Sequence, residues 1–116
     1  GLITPVSIRC LTTYKKGDDT AIADTGALSA SWISKELVNQ LGLHIHNTSE
    51  KTFSTPIGKE TRFTSNKAVR VSLFFKAINM SAEVFLRILP KSQSPGIILG
   101  KHFLTTSGLL KIPFGY

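Results

Sequence analysis

Acidic side chains are scarce in this chain of 116 residues, which has 7 Asp and Glu against 14 Lys and Arg. The formal net charge is +7 at pH 7, and the sequence pI is near 9.9. A balance this basic raises nucleic acid or another anionic polymer as a possible partner. The basic residues are scattered, however, and Lys15 and Lys16 are their only adjacent pair. A solvated surface is therefore the simpler interpretation of the charge.

Cysteine and long apolar runs are also nearly absent. Cys10 is the single cysteine, which excludes an intrachain disulfide and favours a reducing compartment. No apolar run approaches the ~18 residues of a membrane-spanning helix. The first ten residues lack the charged start and the apolar stretch of a signal peptide. We therefore expect one domain that is neither secreted nor membrane-embedded, with Cys10 as a buried, inert thiol.

The first part of the chain predicts a hairpin that ends at a carboxylate. Residues 5–14 are rich in β-branched and aromatic side chains and predict a strand. Residues 15–19 contain Gly and two Asp, which favour a turn. Residues 20–24 predict the returning strand. Asp24 then lies at the end of an apolar run, where burying an unpaired carboxylate is costly.

The hydrophobic period changes after this hairpin. Over residues 29–43, apolar side chains recur at four-residue steps, which predicts an amphipathic helix. Ser31 or Ser34 is placed to cap its start, and Gly42 suits a left-handed C-terminal position. The polar residues 44–50 are predicted to be a link.

From position 51 onward the β pattern returns. Residues 51–55 and 59–64 flank a Pro and a Gly and predict a hairpin. A turn at 76–79, a loop at 90–96 and a short helix after Gly100 separate further predicted strands, at 68–75, 81–89, 97–99 and 109–114. We expect a mostly β fold, a closed barrel or sandwich with a hairpin, one clear α-helix and a short C-terminal helix.

Three short motifs occur in order along this pattern: "DTGA" at 24–27, "TPIG" at 55–58 and "IILG" at 97–100. Each motif is weak alone, but the ordered set is much more specific. It resembles the retropepsin family of aspartic proteases, the dimeric proteases of retroviruses, LTR retrotransposons and plant pararetroviruses, over nearly the whole chain.

The resemblance implies a retropepsin-like barrel with a flap hairpin and an aspartic endopeptidase activity without metal or organic cofactor. It implies that residues 1–116 are one protease domain, half of a homodimer, excised from a longer polyprotein of a virus or retrotransposon. Its substrate would be an extended peptide segment of that polyprotein, in the host cytoplasm or a virus-like particle. The residue roles it implies are catalysis by Asp24, support of the active-site loop by Thr25, Gly26 and Ala27, substrate contact from a flap at Thr55, Pro56, Ile57 and Gly58, and a structural apolar-Gly segment at Ile98, Leu99 and Gly100.

The chemistry of two carboxylates explains why a dimer is expected. Peptide hydrolysis by such a pair needs one ionised and one protonated group. The chain has one Asp-Thr-Gly, which supplies a single carboxylate. The only other close acidic cluster, Asp18 and Asp19, lies in the predicted turn. A second Asp24 must therefore come from a second chain across a two-fold axis. Two carboxylates so close share a proton and titrate as a unit.

Other interpretations stay open. Lys101 and His102 stand where many relatives carry an acidic, amide or Arg residue, so the salt bridge made there would be absent or rebuilt. His44 and His46 alternate along the chain, but two imidazoles fall short of the three or four ligands of most metal sites. Alternative functions are a cellular retropepsin-like domain of the ubiquitin-shuttle type and a non-enzymatic, basic nucleic-acid-binding module on the same fold.

Overall fold

The computed structural model describes residues 2–24, 30–54, 62–90 and 96–109. These residues form seven strands and two helices. In chain order the elements are β1 (Leu2–Cys10), β2 (Lys16–Asp24), β3 (Trp32–Ser34), α1 (Lys35–Leu41), β4 (His46–Ser54), β5 (Arg62–Phe75), β6 (Met80–Leu89), β7 (Ile97–Gly100) and α2 (Lys101–Thr106).

Six of the strands close into a barrel. Their order is β1-β2-β7-β3-β6-β5, and β1 pairs with β5 to complete the ring. β4 lies outside the ring, paired with β5. The β2–β7 and β3–β6 pairs are parallel, and the others are antiparallel. The expected fold class, a mostly β closed barrel with one clear helix and a short C-terminal helix, is confirmed.

Alternating inward side chains fill the barrel, as the two-residue period of strands requires. They form one apolar core that also takes in the buried faces of both helices. The largest fully buried members from the strands are Val6, Ile8, Ile33, Val69, Leu73, Phe75, Leu86, Ile97 and Leu99. No helix in the described ranges is long and apolar enough to cross a bilayer.

The turn of the first hairpin differs from the prediction. It lies between Cys10 and Lys15, before the predicted 15–19. The Cys10 N–H donates to the Lys15 carbonyl at 2.8 Å, and the Tyr14 N–H donates to the Cys10 carbonyl at 2.8 Å. Tyr14 has a φ of 62°, so a tyrosine takes the left-handed position that glycine usually fills.

The residues that suggested a turn have other roles in β2. A Cβ on Gly17 would contact the methyl groups of Leu41 from α1, so glycine lets that side chain pack closely against β2. The Asp18 carboxylate accepts from the Ser7 hydroxyl at 2.8 Å and lies 3.1 Å from the Lys76 ammonium. The sequence therefore pointed to residues with a special structural role, but that role is packing and ion pairing within β2 and not a turn.

The predicted helix over 29–43 is too long at both ends. Its first part, Trp32–Ser34, is strand β3, because these residues complete the barrel between β6 and β7. The helix begins after Ser34, whose hydroxyl accepts from the Leu37 N–H at 3.2 Å. It ends at Gly42, which has a φ of 63° as expected of a left-handed cap.

The predicted link at 44–50 is also wrong in part, since β4 begins at His46. Its register against β5 shifts between Asn47 and Lys51. A strand outside the ring needs no apolar alternation, which is why its sequence read as a link. The predicted strands at 68–75, 81–89 and 97–99 are confirmed within β5, β6 and β7. Residues 91–95 of the loop predicted at 90–96 and residues 110–114 of the final strand predicted at 109–114 lie outside the described residues.

Candidate active site

Asp24 is the last residue of β2 and is partly buried. β2 runs parallel to β7 with Ile22 beside Ile98, Ala23 beside Leu99 and Asp24 beside Gly100. Two motifs separated by more than seventy residues are thus neighbours at one end of the barrel. The sequence predicted that both segments would be strands, and the parallel pairing brings them together.

Ser31 connects the chain after Asp24 to the same glycine. Its hydroxyl accepts from the Gly100 N–H at 2.9 Å in a buried position. Its carbonyl accepts from the Arg87 N–H at 2.9 Å. Sequence reasoning assigned this serine only as a possible helix cap. The signal that could have found it is a small hydroxyl residue a few positions after a strand end, which often bonds backbone N–H groups.

A second apolar cluster lies beside Asp24, outside the main core. Its buried members are Trp32, Leu89 and Ile98, and Ile22 packs against them. Because strand residues alternate between faces, Ile22 and Asp24 belong to the same face of β2. Trp32, which falls within the helix predicted over 29–43, is instead 5% exposed in strand β3. Asp24 therefore shares the face of β2 on which Ile22 packs against this apolar cluster.

The arms of the predicted flap hairpin are present. β4 and β5 pair antiparallel as far as Ser54 beside Arg62. The predicted tip residues, Thr55 to Gly58, lie outside the described residues. So do Thr25, Gly26 and Ala27 of the active-site loop. Lys101 and His102 are exposed on α2, which follows Gly100 directly.

Arg87 holds the base of this hairpin, a role that sequence reasoning missed. The residue is 7% exposed. Its Nη1 donates to the Ser49 carbonyl at 3.1 Å and to the Ser65 carbonyl at 3.0 Å. Ser49 lies where the β4 register shifts, so the guanidinium bonds a carbonyl at the irregular part of the strand pair. The guanidinium carbon is also 5.9 Å from the centroid of the Phe85 ring.

The side chains of the two histidines are neighbours. The rings of His44 and His46 are 4.7 Å apart, edge to face. Partial burial, His44 and Arg70 lower the pKa of His46 below its usual value. Within the described ranges, no three His, Cys, Asp or Glu side chains form a group that could hold a metal ion.

Cys10 is buried, as expected, but its thiol is not ordinary. Burial raises its pKa, but the Thr13 hydroxyl and the N–H groups of His44, Thr13 and Thr12 outweigh that effect. The net result is a pKa of about 7. The thiol is 1% exposed, so reagents in solution have little access to it.

With this geometry established, we compared the chain with known proteins. No protein-family model matches it, and neither characterised proteins nor solved structures gave a match.

Proposed function

We propose that this chain is a retropepsin-type aspartic endopeptidase that works as a homodimer. The observation that carries the proposal is the pairing of Asp24 with Gly100 where two parallel strands end side by side in a closed barrel. A carboxylate at a strand end with an apolar neighbour is a candidate catalytic group. In this proposal each protomer supplies one Asp24, and the two carboxylates share one proton across the two-fold axis.

The proposed reaction uses the two protonation states together. The ionised carboxylate takes a proton from water, and the water oxygen bonds to the carbonyl carbon of the peptide. The protonated carboxylate donates to the carbonyl oxygen, which gives a tetrahedral intermediate. The C–N bond breaks as the amide nitrogen accepts a proton, leaving a carboxylic acid and an amine.

The surface near Asp24 supports a symmetric dimer. Ile3 is 58% exposed and pairs with Ile22 across the β1–β2 ladder. Exposed apolar side chains next to an apolar cluster favour association with another protein surface. A two-fold axis through this end would place the same patch on both protomers. Association there would cover Ile3 and bring two copies of Asp24 together.

The hairpin arms support an extended peptide as the substrate. A hairpin closing over the site would exclude bulk water and hold an extended chain through backbone hydrogen bonds, like an added strand. Ile22, which is partly buried and packs against the cluster of Trp32, Leu89 and Ile98, would favour apolar substrate side chains. We propose that the peptide is a segment of a viral or retrotransposon polyprotein, cleaved in the host cytoplasm or a virus-like particle.

The test is an Asp24→Asn variant assayed against the parent polyprotein and a peptide library. We expect cleavage to fall by at least about 10³-fold, because an amide cannot take a proton from water at neutral pH. Asp18→Asn is the matched control, since Asp18 is exposed and paired with Lys76. It should keep full activity. Equal cleavage by pure Asp24→Asn protein would disprove the mechanism.

Mixing experiments test the dimer separately. Activity per chain should rise with concentration and then level off, in step with the dimer fraction measured by sedimentation. Adding excess Asp24→Asn chain should inhibit the wild type, because mixed dimers carry only one carboxylate in the pair. Constant activity per chain from a species that sediments as a monomer would contradict the dimer.

A further inference from the structure

A groove crosses the outer face of the barrel, on the strands β2, β1, β5 and β6. Its volume is about 540 Å³. The groove exists because many of its lining side chains are small, among them Ser7, Ser72 and Ser81. The Phe74 ring also lines it. An aromatic ring among hydroxyl groups is unusual on the outer face of a barrel, because the outward positions of a solvated strand are usually polar.

The strand register defines the geometry of this groove. Phe74 pairs with Ser7 on β1 and with Ser81 on β6, so hydroxyl side chains stand on both sides of the ring. Phe74 is only partly buried. Its ring is therefore available to a planar partner. The Ser81 hydroxyl can donate to or accept from the edge of that partner, whereas the Ser7 hydroxyl, which donates to Asp18, can only accept.

Two cations border the groove in an unfavourable arrangement. Arg9 on β1 is paired directly with Lys16 on β2, and both are exposed. Like charges directly opposite one another destabilise a strand pair. Neither cation is within ion-pair distance of a carboxylate in the described part of the chain, and the nearby Asp18 is held by Lys76 at 3.1 Å. The structure thus keeps a repulsive pair beside a groove, which an anionic ligand would relieve.

We propose that this groove binds single-stranded nucleic acid, with a base stacked on Phe74 and the adjacent phosphates neutralised by Arg9 and Lys16. Every base has a π-face, so one exposed ring can hold a base of any sequence. The hydroxyls beside the ring suit base edges, and the net charge of +7 favours a polyanion. This site is separate from Asp24 and does not depend on catalysis.

The same face offers a path for a longer strand. Arg70 on β5 is paired with Phe85 on β6, and Phe85 is 41% exposed. Arg70 lies four residues from Phe74, or ~14 Å along the strand, which is about four stacked nucleotides. Glu83 lies between the two rings, opposite Ser72. Its charge should oppose binding, so Glu83→Gln should tighten it.

The primary test measures binding of the full chain to a fluorescein-labelled 20-mer of thymidylate, by anisotropy, from 50 to 300 mM NaCl. Removal of two phosphate contacts in an Arg9→Ala and Lys16→Ala double variant should flatten the slope of log K against log salt by about 1.4. The control is a Lys35→Ala and Lys67→Ala double variant, which loses the same charge from two exposed positions elsewhere. Equal loss in both variants would overturn the groove as the site.

A second variant separates stacking from charge. Phe74→Leu leaves the charge unchanged, so its salt slope should stay while its affinity falls about 5- to 100-fold. A duplex of equal length should bind more weakly than the single strand, because its bases are not available. Asp24→Asn protein should bind like the wild type. Unchanged affinity in folded Phe74→Leu protein would exclude stacking on this ring and refute the proposal. Equal binding of polyglutamate would show that the groove accepts any polyanion, which would also refute it.

Discussion

Arg87 offers the sharpest test of how the hairpin is held. Its guanidinium is 7% exposed and donates to two backbone carbonyls on two different strands, those of Ser49 and Ser65. Arg87→Met keeps an unbranched, apolar side chain of similar length and removes the donors. The strand β6 itself should survive, because its ladder bonds to β5 and β3 are made by the backbone.

The magnitude follows from the two hydrogen bonds. Bonds from a charged donor contribute about 1.5–3 kcal/mol each, so the sum is about 3–6 kcal/mol. Two effects reduce this: a buried guanidinium no longer has to be desolvated, and the carbonyl of Ser49, an exposed residue, can be rehydrated. We expect a loss of about 3 kcal/mol in the free energy of unfolding. For a domain of this size that lowers Tm by about 12 °C.

Urea and thermal unfolding measure the global loss, and amide hydrogen exchange locates it. Exchange should increase most in β4, whose irregular register loses its contact with the guanidinium. Arg9→Met is the matched control, since Arg9 is exposed and opposite Lys16. Its stability should be unchanged or slightly higher. If Arg87→Met unfolds within about 0.5 kcal/mol of the wild type and β4 exchange is unaltered, the assigned role of Arg87 is wrong.

Three further experiments test other parts of the structure. The Thr4 hydroxyl is buried without a hydrogen-bond partner in the described residues, so Thr4→Val should raise stability by about 1 kcal/mol in urea unfolding, and a loss would reveal a partner. Cys10 combines a pKa of about 7 with 1% exposure, so a thiol reagent at pH 8 should label it slowly in the native protein and rapidly in urea; fast native labelling would contradict its burial. An NMR titration of His46 should show a midpoint below the usual 6.5, raised in Arg70→Gln. In the unfolded chain His46 has its usual pKa, so as the pH drops the unfolded chain binds a proton at a higher pH than the folded chain does. The contribution of His46 to stability therefore falls as the pH drops through 6.5.

The barrel strands were predictable where a local signal determined them. The apolar run before Asp24 and the short run ending at Gly100 are too short for a typical helix and are bounded by turn signals, which favours a buried strand for each. Gly42 was placed correctly because only a left-handed residue suits that helix end. Which strands would pair was not visible, since the β2–β7 ladder joins residues more than seventy positions apart.

The wrong position of the first predicted turn concealed the pairing of Arg9 with Lys16. With the turn predicted at 15–19, Lys16 belonged to a loop and had no partner across a strand. The observed turn ends at Lys15, four residues earlier than predicted, so Lys16 is the first residue of β2 and lies opposite Arg9. Scattered basic residues thus become a pair, and only the register shows it. Gly17 misled the prediction because close packing against Leu41 and a turn both favour glycine.

The residues that sequence reasoning missed are the ones that connect the site to the hairpin. The Gly100 N–H donates to Ser31, the Arg87 N–H donates to the Ser31 carbonyl, and the Arg87 guanidinium donates to Ser49 on β4. This chain of hydrogen bonds runs from the neighbour of Asp24 to the base of the flap arms. Each member lies at a different strand or strand end, so no local pattern could predict it. If the hairpin closes over Asp24 during catalysis, Arg87 anchors its fixed end, and Arg87→Met should raise KM for peptides more than it lowers kcat.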